Sequence, residues 1–104
     1  MSKKKRVNPY MVSVQRRVSE LGDGFNAKKR LSELRDQMQP LLETWTEHNE
    51  DGKKLDAVEH EVRAVGVALR CKGITPDLNT VENIVDEIAN CGLQDWLDAE
   101  LATA

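Results

Sequence analysis

KKLDAVEHEVRAVGVALRCK, residues 53–72, is the stretch that decides the fold. Leu55, Val58, Val62, Val65 and Leu69 follow one another at spacings of 3, 4, 3 and 4. That rhythm lines one face of an α-helix and does not fit the period of two of a half-buried strand. Ala57, Ala64, Ala68 and Cys71 make a second stripe of small residues beside the first. A helix with two adjacent apolar faces has to be covered on both, so this one is predicted to be central in a bundle. Gly73 is placed to end it, and Arg70 and Lys72 suit the negative end of its dipole. Glu50-Asp51-Gly52 reads as the turn that precedes it.

Upstream, Ala27, Leu31, Leu34, Met38, Leu41 and Trp45 form a heptad seam, which predicts a helix from Asn26 to His48. Pro40 falls inside the seam and removes the bond to the Asp36 carbonyl, at a cost of about 3 kcal/mol in a helix interior. Because the apolar phase continues beyond it, a kink is expected, with a break into two helices as the alternative. Asn8 suits the cap of a first helix with Pro9 in its first position. Met11, Val14, Val18 and Leu21 share the apolar face of that helix, and Gly22-Asp23-Gly24 stops it. Residues 1–8 read as a flexible basic tail.

Downstream, Thr75-Pro76-Asp77 suits the start of a fourth helix with Pro76 first, and Asn79 with Glu82 is a capping-box alternative. Val81, Ile84, Val85 and Ile88 are its apolar stripe, and Gly92 ends it. A short fifth helix over Leu93 to Ala102 presents Leu93, Trp96, Leu97 and Leu101. The expected fold is therefore an all-α bundle of four to five helices with a basic N-terminal tail. The tail covers 1–8 and a single helical domain covers 9–104.

The 104 residues fit one domain. With only four aromatics, Tyr10, Phe25, Trp45 and Trp96, the core must be mostly aliphatic, and the two tryptophans are expected as core or rim anchors. No apolar run approaches the roughly 20 residues of a membrane span. The basic N-terminus is not followed by the apolar stretch of a secretory signal, so a cytoplasmic protein with no membrane partner is expected. Cys71 and Cys91 match no zinc or redox spacing and are expected as free thiols, a bridge between helices being the alternative.

Motifs that carry chemistry are tested and fail. Glu47-His48-Asn49-Glu50-Asp51-Gly52 resembles the start of an EF-hand loop, but Lys54 and Val58 stand where an apolar residue and the bidentate Glu belong. Glu59-His60-Glu61 lacks the second histidine of a zinc-protease helix, since position 64 is Ala. His60 is read instead as a surface imidazole beside acids. Ala68, Gly73, Ile74, Thr80 and Val81 loosely follow a helix-turn-helix order. The helix that would read DNA carries Asp77, Glu82, Asp86 and Glu87 and no cation, so phosphates would repel it. No nucleophile has an evident base in sequence, and there is no Gly-rich phosphate loop. No catalytic residue, metal or cofactor is expected, and the chain is not expected to be an enzyme.

What remains is charge. Residues 1–40 hold ten Lys/Arg against four Asp/Glu, residues 41–73 hold five against seven, and residues 74–104 hold none against seven. The net −3 hides a chain that is basic at one end and acidic at the other. Lys28, Lys29 and Arg30 occupy the first turn of the second helix, where they oppose its dipole yet suit an anion. With Arg16, Arg17 and the tail residues Lys3, Lys4, Lys5 and Arg6, they form the candidate contact surface for nucleic acid or an acidic partner. Asp86, Glu87, Asp95, Asp98 and Glu100 form the candidate acidic surface. Plain solvation, or pairing of the basic part with the chain's own acidic third, competes for the same charges.

The functional expectation is a small non-enzymatic binding protein that docks on another macromolecule, above all another protein, as regulator or inhibitor of a larger assembly. One alternative is a nucleic-acid-binding regulator that uses the basic N-terminal third. Another is a homo-oligomeric assembly protein whose basic and acidic parts meet.

Overall fold

In the computed structural model the described residues are 8–22, 26–44, 49–72 and 74–102, with only the backbone described at 44 and 49–52. They form five helices and, among the described residues, no strand. The helices are α1 (Pro9–Leu21), α2 (Ala27–Thr44), α3 (Asn49–Cys71), α4 (Leu78–Cys91) and α5 (Leu93–Ala102). Residues 1–7 of the expected basic tail, Trp45 and the Gly73 stop lie outside the described residues.

Local chemistry sets most of the boundaries. The Tyr10 N–H donates to Asn8 Oδ1 at 2.9 Å with Pro9 in the first position of α1. That helix ends at Gly22, whose φ of 64° lets its N–H reach the Val18 carbonyl at 3.2 Å. Asn26 opens α2 by accepting the Lys29 N–H on Oδ1 at 3.0 Å. Pro40 does not split α2, which runs to Thr44 as one helix. Leu34 and Met38 before the proline and Leu41 and Leu42 after it belong to one core cluster, and that shared packing holds the two halves in line.

Two helix starts differ from expectation. Helix α3 begins at Asn49, so Glu50-Asp51-Gly52 is part of the helix rather than the turn before it. At its other end Lys72 itself takes the left-handed conformation, φ 51°, and the Ile74 N–H donates back to the Cys71 carbonyl. Helix α4 is capped by Asp77, whose Oδ1 accepts the Thr80 N–H at 2.8 Å. A carboxylate directly before the first turn satisfies an amide there, so neither Pro76 in first position nor the Asn79–Glu82 box is used.

Helix α3 packs against α1, α2 and α4, and α5 packs against α2 and α4. The two stripes on α3 feed two core clusters. Val62 and Val65 join Leu31, Leu34, Met38, Ile88, Trp96 and Leu97. Ala64, Val67 and Ala68 join Val14, Val18, Val81 and Val85. Ala57, expected in the small stripe, is exposed. Gly66 faces the first cluster, where a Cβ would come within 2.6 Å of Trp96 Cη2. A mid-helix glycine is destabilising by about 0.5–1 kcal/mol relative to alanine, and this one makes room for the indole. The Trp96 N–H is buried and meets no acceptor among the described residues, a state that costs about 1–3 kcal/mol.

Candidate functional site

The densest polar arrangement gathers on Glu61 of α3. Arg17 of α1 donates through Nε and Nη2 to its two carboxylate oxygens, both at 2.8 Å. Arg30 of α2 brings Nη2 to 3.5 Å from the same carboxylate. Glu61 is largely covered, its side chain 14% exposed against 36% for each arginine. The Arg17 hydrogen bonds hold the Glu61 carboxyl below the usual carboxylate range, outweighing burial, which pushes the other way. Within their own helices Arg17 also meets Glu20 and Arg30 meets Glu33, each at 3.4 Å.

Arg17, Arg30 and Glu61 rim a groove of about 350 Å³ whose walls include Leu34, Gln37 and Val58. Two guanidiniums and one carboxylate line it, and both arginines meet that carboxylate, Glu61. Its polar wall is a clasp that ties α1 and α2 to α3.

The remaining expected residues divide. Lys3, Lys4, Lys5 and Arg6 lie outside the described residues, while Arg16 and Lys29 are exposed. Lys28 Nζ donates to the Glu100 carbonyl of α5 at 3.0 Å. On the acidic side, Asp98 meets Arg35 at 3.4 Å, and Glu87 and Glu100 both meet Arg70. Asp86 and Asp95 are exposed, and the ion pairs of the described residues leave them out. Part of the charge that is segregated along the chain is thus paired in space, because α2 and α5 are neighbours.

No known protein family, curated protein or solved structure matches the chain. The functional reading therefore rests on these side chains alone.

A second cluster joins α1 to α3. Ser13 Oγ lies 2.8 Å from His60 Nε2, the His60 ring meets Tyr10 edge-on at 5.3 Å, and Arg63 Nη1 donates to the Tyr10 hydroxyl at 2.8 Å. A hydroxyl beside an imidazole is the first half of a nucleophile–base pair. Among the described residues no carboxylate bonds the other ring nitrogen, so the orienting half is not part of this cluster. No group of three or more His, Cys, Asp or Glu among the described residues is arranged to hold a metal ion. Both cysteines are free thiols, so the alternative bridge does not form, and burial pushes the Cys71 thiol up.

In sequence, Glu61, Arg35 and Arg70 have no visible place in a contact surface. Glu61 stands directly before Val62 on the edge of the apolar stripe, a position where a charged side chain needs a partner. Spacing along the chain carries no sign of the arginines 44 and 31 residues away that provide it.

Proposed function

We propose that the chain is a small non-enzymatic binding protein, a regulator or inhibitor of a larger assembly, that docks on a basic surface of another protein through the α4–α5 side. The observation that carries this reading is the sign of what is left exposed there. Residues 74–104 contain seven carboxylates and no Lys or Arg, and after the pairs with Arg35 and Arg70 the exposed Asp86 and Asp95 remain outside them. Arg17 and Arg30, by contrast, are engaged by Glu61. A face of one sign steers an oppositely charged partner and fixes its register. Free thiols fit a reducing cytoplasm, and no helix among the described residues is long and apolar enough to cross a membrane.

The experiment is a pull-down read against a charge-reversed control. Wild type retains a basic partner at moderate salt, and the double variant Asp86→Lys, Asp95→Lys loses it. A double variant that keeps the same partner, or a monomer that turns over a substrate, overturns the proposal.

Exposure of Arg16 and Lys29 supports the second reading, nucleic-acid binding with Lys3–Arg6. Phosphate contacts weaken steeply with salt, so a gel shift at low salt that fades at moderate salt is its signature. The absence of a shift at low salt removes it. Homo-oligomers joined basic to acidic would instead lose mass as salt rises.

A further inference from the structure

Helix α5 is built like a bound ligand. It has ten residues, too few to hold helical form alone in water. Leu93, Trp96, Leu97 and Leu101 stand at i, i+3, i+4 and i+8 and pack into a core cluster with residues of α2, α3 and α4. Amphipathic helices enter the grooves of separate proteins with a similar pattern of anchors, i, i+3, i+4 and i+7. Gly66 is the floor, since a Cβ there would collide with the indole. The rim is basic, with Arg35 and Arg70 meeting Asp98 and Glu100 and Lys28 meeting the Glu100 carbonyl, while α5 carries three acids and no cation.

Its attachment is slight. Gly92 alone joins it to α4, at φ 91°, a conformation that L side chains rarely adopt. The Arg35–Asp98 pair is exposed and the Arg70–Glu100 pair is long, at 4.0 Å, so each is individually weak. The buried Trp96 N–H has no acceptor among the described residues, so none of their polar groups locks the indole in place.

We propose that the groove beneath α5 is a helix-docking site whose exchange partner is α5 of a second copy. The chain opens at Gly92, α4 and α5 join into one continuous helix, and each copy fills the other's groove. A second copy is the favoured occupant because it alone restores every contact at once: the four apolar anchors, the glycine floor and the basic rim. Short connections under strain invite such exchange. This inference goes beyond the docking proposal, since it needs no foreign protein and uses an apolar groove rather than Asp86 and Asp95.

The test follows mass against concentration for the full chain by sedimentation. Gly92→Ala strains the closed turn and should raise dimer association about tenfold or more. Adding Gly66→Ala to that variant should lower stability while leaving the gain in place, because the same indole meets the same floor in the closed and the exchanged forms. The exchanged dimer should persist in high salt, unlike one held by opposite charges. A helical but monomeric Gly92→Ala protein, a dimer abolished by Gly66→Ala in a chain that still folds, or a dimer that dissolves in salt overturns the proposal. If Gly92→Ala does not fold, wild type refolded from urea at high concentration decides: trapped dimers support exchange, and monomer throughout overturns it.

Discussion

Glu61 shows how one side chain can bind an arrangement together. It accepts a two-pronged Arg17 and a looser Arg30, and Glu61→Gln keeps its shape while removing the charge. The expected loss is about 1 kcal/mol, below the range of about 1.5–3 kcal/mol for charged hydrogen bonds because both arginines are partly exposed and screened. Urea denaturation at neutral pH measures it. The pH dependence has a definite sign. The carboxyl titrates lower in the folded chain than in the unfolded one, so its stabilisation is complete above the ordinary carboxylate value of about 4.3. It is lost as pH falls from there through the depressed folded value. Wild type should therefore lose more stability than Glu61→Gln over that acidic interval, and equal slopes would remove the clasp from the account.

At the scale of elements, α2 carries the clearest internal conflict. Pro40 is exposed and takes one hydrogen bond from the helix, yet α2 continues to Thr44. The seam is what holds it, with Leu31, Leu34 and Met38 all buried. Pro40→Ala should then stabilise the chain, by up to about 3 kcal/mol, and raise the thermal midpoint without changing the helix content. A fall in the midpoint would mean that the proline ring makes packing contributions larger than the bond it removes. Boundaries at this scale were readable where a cap residue stands beside the helix it starts, as at Asn8, Asn26 and Gly92. They were misread where two signals compete. Pro76 and Asp77 both suit the start of α4, and the residue with a side-chain acceptor for the Thr80 N–H prevailed.

Over the whole molecule, stability should follow centrality. Helix α3 contacts three partners and contributes to both core clusters, whereas α5 is short and attached through one residue. Native-state hydrogen exchange should show the slowest amides in α3 between Val62 and Ala68 and the fastest helical amides in α5. Equal protection of the two would contradict a detachable α5. The amino-acid sequence by itself determined the helical class, the five helical segments and the buried stripes of the described helices, because apolar spacing and caps act within a few residues of one another. Only the tertiary structure decided how charge is spent. Arg17 finds Glu61 and Arg35 finds Asp98 across 44 and 63 positions of chain, and Gly66 finds the Trp96 ring. Electrostatic pairing and close packing depend on distance in space, and no periodicity along the chain encodes which helices become neighbours.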